Sequence, residues 1–285
     1  MTDEATPARM VLPAPAKLNL FLHVTGRRAD GYHTLQTLFQ MLDWGDEIVL
    51  ESRADGRIER VGGLSGVVSD DDLAVRAARL LQAETGGGHG AAISIDKRIP
   101  AGAGLGGGSS DAATVLLGLN RLWGLDWPLD RLAELGGKLG ADVPVFVHGR
   151  TAFAEGIGDR LQPIDLPERW YVVVWPGVPV STLAVFQAPE LTRNTPALKI
   201  ADLLGSATRN DLEPVAVRRC PSIAEALSWL AEHGEVRMSG SGSSVFAPVA
   251  DEAAAREIVA VSPWSAWAVR GVNVSPLHRA LGLMD

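Results

Sequence analysis

The stretch IPAGAGLGGGSSDAAT, residues 99–114, constrains this chain more than any other part of its sequence. Five of the seven residues from Gly102 to Gly108 are glycine, and an apolar pattern with helical spacing follows them. Glycine lets a backbone approach a ligand closely, and the free N–H groups at the start of a helix attract anions. The stretch therefore predicts an anion-binding loop, in which Ser109 and Ser110 either cap the helix or donate to a phosphate.

Three familiar glycine-rich loops fit this stretch poorly. The dinucleotide-binding spacing G-x-G-x-x-G occurs at Gly102, Gly104 and Gly107, but Pro100 separates it from the preceding strand. The acid about 20 residues further on, Asp126, lies between two predicted helices instead of following a strand. A P-loop would need a lysine after the glycines, and a protein kinase would need HRD and DFG; the sequence has none of these. A dehydrogenase is thus a distant alternative, and a flexible connection is the simplest structural one.

Composition narrows the possible partners and location. The net charge of −8 disfavours nucleic acid or an anionic membrane as a partner. The acidic start MTDEATPARM does not resemble a signal peptide, and apolar runs such as WYVVVW are too short to span a bilayer. One cysteine and six scattered histidines predict neither a disulfide nor a metal site. We therefore expect a cytoplasmic protein that acts on a small molecule.

Local patterns predict layers of α and β structure. A second series of predicted strands and helices begins after about residue 155, so we expect one domain over residues 1–155 and a second over 156–285. Apolar alternation predicts strands at 16–26, 46–52, 91–99 and 169–177, and two short strands around a glycine-serine turn within 235–249. Helical spacing predicts helices at 70–88, 109–124, 128–140 and 222–234.

Three segments carry a family resemblance. PAGAGLGGGSSDAA (100–113), PAKLNLFLHVTGRRADGYHTLQTLF (15–39) and MSGSGSSVF (238–246) resemble, in kind and order, motifs of the GHMP kinases. With GADVPVF (140–146) and NDLEPV (210–215), they are most similar to the branch that phosphorylates a cytidine diphosphate ester of methylerythritol. The similarity covers roughly residues 13–250.

The resemblance implies a fold and a reaction. It implies an α+β, two-domain GHMP kinase fold: an N-terminal ribosomal-protein-S5-domain-2-like domain with the phosphate loop, a C-terminal α/β-sandwich domain, and an active site in the cleft between them. It implies ATP- and Mg²⁺-dependent phosphorylation of the substrate's 2-hydroxyl, in the non-mevalonate route to isoprenoid precursors. A monomer or weak homodimer is expected. A homoserine or mevalonate type of GHMP kinase is the enzyme alternative, and a nucleotide-binding sensor on this fold is the non-enzyme alternative.

The resemblance also assigns the reacting groups. Lys17 is the catalytic lysine, Asp142 the general base for the substrate hydroxyl, and Asn19 a substrate contact. Because Lys17 and Asn19 are two residues apart on a predicted strand, they share one face. From the pattern alone, a lysine that extends to the surface is favoured for Lys17, and an aspartate at a helix terminus or in a turn before Pro144 is favoured for Asp142. Retention of both Lys17 and Asp142 argues against a sensor.

The substrate end is assigned in the same way. The resemblance makes Tyr32 and Phe186 two aromatic faces around cytosine, with His33 at the edge of the base. It assigns Gly240 and Gly242 to substrate binding, in a turn that faces the phosphates and supports the glycine loop. By pattern alone Tyr32 fits a packing residue, Phe186 a core residue and the turn a simple hairpin.

The ATP-binding residues implied by the resemblance form the loop and its surroundings: Pro100, Ala101, Gly102, Ala103, Gly104, Leu105, Gly106, Gly107, Gly108, Ser109, Ser110, Lys97, Asp72 and Leu73. No metal-ligating residue is assigned. The chain departs from the family pattern at Asp72, where asparagine is usual, and an ionised aspartate cannot donate a hydrogen bond to adenine. It also has Ser241 where threonine is common, which keeps the hydroxyl.

Overall fold

The structure is a computed structural model that describes residues 8–62, 71–200 and 208–284. Two sequence predictions touch residues outside these ranges. The absence of a signal peptide rests largely on residues 1–7, and the predicted first helix begins at residue 70.

One long antiparallel hairpin runs through the structure. Strands β1 (Arg9–Arg27) and β2 (His33–Arg53) pair from end to end, with register shifts that bend β1. The sequence pattern predicted only the second half of β1 and the end of β2. Both strands contain long buried runs, and these runs lack the clean alternation that marks a strand with one exposed face.

The remaining strands extend this hairpin in two directions. They are β3 (Ile58–Arg60), β4 (Gly90–Asp96), β5 (Ala152–Glu155), β6 (Arg160–Pro163), β7 (Trp170–Trp175), β8 (Arg237–Met238), β9 (Val245–Val249) and β10 (Ser265–Val272). The order along the sheet is β3-β4-β2-β10-β7-β9-β8, while β1 and β5 also pair with β2, and β6 pairs with β5. Strand β10 joins the two halves, because its last residues pair with β2 and its first with β7.

The helices cover the two halves separately. They are α1 (Leu73–Glu84), α2 (Gly107–Leu122), α3 (Leu129–Gly137), α4 (Val143–His148), α5 (Thr182–Phe186), α6 (Glu213–Arg219), α7 (Pro221–Leu230), α8 (Glu252–Ala260) and α9 (Pro276–Ala280). Helix α2 contacts β1 and β2 in the first half, and α7 and α8 pack on β7, β9 and β10 in the second. Among the described helices, none is long and apolar enough to cross a membrane.

Four of the predicted helices are present with shifted ends. The first begins at Leu73, the second at Gly107 and the third at Leu129, and the fourth ends at Leu230 before a short 3-10 helix. The turn expected after Pro144 is wrong, because α4 begins there, and Asp142 lies at a helix terminus, the other alternative for this residue. Proline is tolerated in the first helical turn, where its missing N–H would have no helical partner.

A small core at the junction of the two halves holds the glycine-rich stretch. Ala103 and Leu105 are buried together with Leu18 of β1, Val173 of β7 and Phe246 of β9. The apolar residues of the loop thus anchor it between the two halves of the structure, and the glycines between them allow the backbone to follow this path. The loop is fixed by burial at alternate positions, which explains how so glycine-rich a segment can hold one shape.

The C-terminal end of the chain returns to the first half. Val272, Leu277 and Leu281 are buried in the same core as β1, β2 and α2, and α9 contacts β1. In the other direction, Leu22 and Val24 of β1 are buried in the second core. The division at residue 155 stays a prediction, and both cores draw on residues from the two sides of it.

Leu277→Ala should destabilise the protein by about 2–5 kcal/mol, since it removes a buried side chain from the first core. Leu283→Ala is the matched control, because Leu283 is 42% exposed and should change stability by less than about 0.5 kcal/mol. Urea unfolding of both variants measures the difference. Equal stability of the two would show that α9 does not contribute to that core.

Candidate active site

A cavity of about 1020 Å³ lies where the two halves meet. Most of the predicted site residues line it: Asn19, Tyr32, His33, Asp72, Leu73, Lys97, Pro100, Ala101, Gly102, Ala103, Gly104, Leu105, Gly106, Gly107, Gly108, Ser109, Asp142, Phe186 and Gly240. Lys17, Ser110 and Gly242 are not among the lining residues. Protein pockets for ligands typically span about 300–1,000 Å³, so this cavity has room for more than one small molecule.

Close backbone packing explains the glycines of the loop. Gly104 has φ +76°, and a Cβ there would lie 2.1 Å from the carbonyl oxygen of Ser239. Gly106 has φ +77°, and a Cβ there would lie 2.8 Å from the ring of Phe146. Both positions therefore need glycine for its backbone conformation and for its lack of a side chain.

Helix α2 begins at the cavity without a side-chain cap. Gly106, in the left-handed conformation, is its N-cap, and no side-chain cap hydrogen bond is formed. Our prediction that Ser109 or Ser110 caps this helix was wrong, because the helix begins two residues earlier and includes both serines. The N–H groups of the first turn have no partner within the helix, and Gly107 to Ser109 line the cavity. This end of the helix is suited to bind an anion.

The ammonium group of Lys17 is buried against the glycine loop. Its Nζ donates to Oδ1 of Asn19 at 2.5 Å and to the carbonyl oxygen of Gly104 at 3.2 Å, and it lies 3.4 Å from Oδ2 of Asp142. The Lys17 side chain is 3% exposed, whereas that of Asp142 is 35% exposed. The lysine is therefore held inside the protein, and the carboxylate faces the cavity.

The local structure explains why the Asp142 carboxylate faces the cavity and why its neighbours are held in place. It is the N-cap residue of α4, yet its side chain makes no cap hydrogen bond to that helix. Lys17 and Asn19 lie on one face of β1 as the sequence predicts, and Asn19 is oriented further by a 2.8 Å hydrogen bond from Nδ2 to Thr37. The carboxylate is thus available to the cavity, while its neighbours are fixed.

Lys97 is held by two aspartates that the sequence analysis did not identify. Its Nζ lies 2.5 Å from Oδ2 of Asp46 and 2.8 Å from Oδ2 of Asp111. Burial raises the pKa of Asp111 to about 7, the Lys97 ammonium opposes this rise, and Asp46 adds to it. Asp111 directly follows the two serines of the glycine-rich stretch, and this position is a sequence signal that could have identified it. No pattern in the strand that carries Asp46 indicates that its side chain reaches Lys97.

Asp72 caps the start of its own helix. It is the N-cap of α1: Oδ1 accepts a hydrogen bond from the N–H of Ala74 at 2.9 Å, and Oδ2 lies 3.1 Å from Nε of Arg60. Both oxygens are therefore engaged within the protein. The usual asparagine could fill the cap, but it would pair less strongly with the arginine.

Aromatic side chains gather at the other end of the cavity. The rings of His33 and Phe186 stack with centroids 5.2 Å apart, while Tyr32 is largely exposed. This distance is a direct aromatic contact, so a base does not fit between these two rings. A base between Tyr32 and Phe186 stays a prediction. Arg193, which sequence analysis missed, donates from Nε to Nε2 of His33 at 3.0 Å.

The turn after β8 supports the glycine loop, as expected. Ser239 Oγ donates to the carbonyl oxygen of Gly104 at 2.9 Å and accepts from the N–H of Asn19 at 3.1 Å. Asn210, the first residue of NDLEPV, donates to the carbonyl oxygens of Met238 and Gly240 and so holds the turn. This motif therefore connects the second half to the loop and to β1.

The comparisons with known proteins agree with this architecture. Residues 72–150 match the GHMP kinases N terminal domain, and residues 191–261 match the GHMP kinases C terminal domain. The chain belongs to the GHMP kinase family. Family membership makes this chain an enzyme that uses ATP to phosphorylate a small molecule, and the glycine-rich stretch lies within the first matched region.

The individual relatives with high sequence identity are GHMP kinases of one kind. The kinase is 59% identical over 268 residues to a 4-diphosphocytidyl-2-C-methyl-D-erythritol kinase of Thiobacillus denitrificans, with 93% of this chain and 96% of that protein covered. It is 55% identical to the protein of the same name from Halorhodospira halophila, with 95% and 96% covered. A crystal structure of 4-(cytidine 5'-diphospho)-2C-methyl-D-erythritol kinase superposes with a TM-score of 0.80 at 39% identity, covering 93% of this kinase and 100% of that chain.

More distant structures show the fold alone. The mevalonate kinase of Methanococcus jannaschii superposes with a TM-score of 0.65 at 14% identity, covering 95% of this kinase and 100% of that chain. The α+β, two-domain GHMP kinase fold expected from the sequence is thereby confirmed.

Gly106→Ala should weaken ATP binding by at least about tenfold, because left-handed backbone costs a non-glycine residue about 1–2 kcal/mol and the new Cβ meets Phe146. Isothermal calorimetry on the folded variant measures the affinity. Gly124→Ala is the control: Gly124 has φ +63° with nothing within 4 Å of the added Cβ, so it carries similar strain away from the cavity. Unchanged ATP affinity in folded Gly106→Ala protein would show that this loop conformation does not serve the phosphates.

Asp111→Asn should change how stability depends on pH. The folded protein holds the Asp111 proton more tightly than the unfolded chain does, because the folded pKa is about 7 and the ordinary value is 3.8. This group therefore stabilises the fold at low pH, and its contribution declines by up to about 1.4 kcal/mol per pH unit as the pH rises from 5 to 7. Urea unfolding at pH 5, 6, 7 and 8 should show the parent losing stability relative to the variant. Parallel pH profiles would contradict the shifted pKa.

Proposed function

We propose that this GHMP kinase transfers the γ-phosphoryl group of ATP to the 2-hydroxyl of 4-diphosphocytidyl-2-C-methyl-D-erythritol, in the non-mevalonate route to isoprenoid precursors. The observation that carries this proposal is identity of 53–59% to proteins of that name over nearly their whole length. The cavity supports it, since one end has the glycine loop and the other has polar and aromatic groups suited to a base.

ATP would place its phosphates at the loop and the start of α2. The first-turn N–H groups have no helical partner, and Gly107 to Ser109 line the cavity. These groups contribute fixed positive dipole charge. Lys97 lies beside Gly107, with Nζ 3.3 Å from where a Cβ of that residue would be. We assign Lys97, Leu73 and the loop from Pro100 to Ser109 to ATP, and Asp72 acts by placing α1 beside that end of the cavity.

Asp142 is the general base in this proposal. Its carboxylate faces the cavity, so a substrate hydroxyl placed there could give its proton to Oδ2 as the new phosphorus–oxygen bond forms. Lys17 lies directly behind it and supplies positive charge at the point where negative charge develops on the transferring group. Asn19 is bonded to Lys17 and lines the cavity, and it is suited to orient the substrate.

Magnesium would enter with ATP. Among the described residues, no group of three or more His, Cys, Asp or Glu side chains is arranged to hold a metal ion. Mg²⁺ at phosphate sites is commonly held by one or two protein groups together with the phosphates. Ser110 Oγ and Asp111 Oδ1 are buried without a hydrogen-bond partner in the described ranges, next to the loop, and both fit this role. A bound ion neutralises charge on the phosphates.

The cytidine would lie at the end of the cavity formed by Tyr32, His33 and Phe186. The exposed Tyr32 ring can close on one face of the base, and Phe186 can cover another surface of it. Gly240 lines the cavity next to Gly104 of the loop. Gly242 packs against the same loop residue, since a Cβ at Gly104 would lie 2.9 Å from the carbonyl oxygen of Gly242. A cytoplasmic location, a monomer or weak homodimer, and the absence of nucleic-acid or membrane partners stay predictions.

The substrate is tested by ADP release with a panel of alcohols: the cytidine diphosphate ester of methylerythritol, methylerythritol phosphate, homoserine and mevalonate. The proposal expects efficient turnover of the first compound and far slower turnover of the others, because only the first has a base to occupy the aromatic end. Equal turnover of the ester and of methylerythritol phosphate would contradict recognition of the base. Preference for homoserine or mevalonate would contradict the proposed function.

Asp142→Asn should lower the single-turnover rate of phosphorylation by about 10²–10⁴-fold, because a positioned base typically contributes that much. ATP affinity should change little, since the loop and the start of α2 bind the phosphates. Asp165→Asn is the matched control, as it removes an exposed carboxylate that pairs with Arg150 outside the residues that line the cavity. A rate within about threefold of the parent would remove Asp142 from the proton-transfer step.

A further inference from the structure

Arg193 is tied to the aromatic end of the cavity more firmly than a surface arginine would be. Its guanidinium donates to the carbonyl oxygens of Phe186 at 3.1 Å, Ala188 at 2.6 Å and Leu191 at 2.9 Å. Its Nε donates to Nε2 of His33 at 3.0 Å. These bonds hold the guanidinium within the turn that follows α5 and direct one N–H at the imidazole.

This contact determines which ring nitrogen of His33 carries the proton. A guanidinium in a protein is always protonated and can only donate. Nε2 must therefore offer its lone pair to Arg193, and the proton of the neutral ring lies on Nδ1. No hydrogen bond within the described ranges involves Nδ1, and His33 lines the cavity.

The charges around His33 favour this neutral form. Arg27 of β1 is paired with His33 across the hairpin, and Arg193 approaches from the second half. Burial lowers the pKa of His33, and these two cations lower it further. Asp30 also lines this end of the cavity, and within the described ranges it bonds Arg28 and the N–H of Tyr32 instead of the imidazole.

We propose that Arg193 is a positioning residue that fixes the tautomer of His33, so that His33 presents an N–H donor to the base and selects cytosine over uracil. This inference rests on the proposed function. Ring nitrogen N3 is an acceptor in cytosine and carries a proton in uracil. A fixed donor therefore bonds the first base and opposes the second, and stacking on Phe186 holds the ring plane in which the donor points.

Removing Arg193 frees the imidazole to exchange tautomers. With the proton on Nε2, Nδ1 becomes an acceptor and can bond the N3–H of uracil. The preference between the two bases should then decrease, whereas a residue that only supports the turn would affect both substrates alike. This difference separates control of the tautomer from a purely structural role.

The test compares kcat/KM for the cytidine and uridine diphosphate esters of methylerythritol. We expect the parent to favour the cytidine ester by about 10- to 100-fold, the effect of one unsatisfied buried hydrogen bond, and Arg193→Met to reduce this ratio by at least about fivefold. Arg218→Met is the control, because Arg218 is an exposed arginine whose Nε bonds one backbone carbonyl, that of Pro214. A parent that uses both esters equally, or an Arg193→Met variant with the parental ratio, would overturn the inference and leave the proposed function intact. Turnover of neither ester would instead contradict the proposed function.

Nitrogen-15 NMR of histidine-labelled parent protein tests the tautomer directly and does not depend on folding of the Arg193 variant. The spectrum of His33→Gln assigns the His33 signals by their loss. We expect Nε2 to show the shift of an unprotonated nitrogen and Nδ1 that of a protonated one at pH 7.5. The reverse pattern, or rapid exchange between the two forms, would overturn the inference.

Discussion

The ammonium group of Lys17 is buried, and a buried charge is costly unless its three N–H groups find partners. Three different elements supply them: Asn19 of β1 itself, the backbone of Gly104 in the loop, and Asp142 at the start of α4. The charge therefore brings together strand, phosphate loop and carboxylate at one point. In the proposed mechanism the substrate hydroxyl and the phosphoryl group meet at this point, so the contacts that satisfy the lysine would also arrange the reacting groups.

The position of the loop depends on packing from both halves of the chain. Ala103 and Leu105 are buried where the two halves meet, and Gly104 lies against the turn that Ser239 and Asn210 hold in place. Strand β10 and helix α9 return from the second half to the first and complete its core. The shape of the glycine loop therefore depends on the whole fold. This explains why its glycines are needed for close approach between chain segments as well as for contact with a ligand.

The sequence predicted what local pattern controls. The glycine-rich loop, the helix after it, and the shared face of Lys17 and Asn19 follow from spacing and glycine chemistry alone, and the structure confirms them. The predicted serine cap failed because a left-handed glycine can begin a helix without one, and the helix at Pro144 was missed because six residues carry little periodicity. Asp46, Arg193 and Asn210 act through contacts with residues far away in the chain, and no local pattern marks such contacts.

In the proposed mechanism, Lys17 and Asp142 act together on one phosphoryl-transfer step. A double-mutant cycle of single-turnover rates, with Lys17→Met, Asp142→Asn and the double variant under saturating ATP, measures this most directly. Lys17→Met keeps most of the buried volume while removing the charge. If the two groups serve one transition state, the double variant loses much less than the product of the two single losses, with a coupling of at least about 1.4 kcal/mol or tenfold. Single losses that simply multiply in the double variant would show that the two residues act independently and would contradict the account.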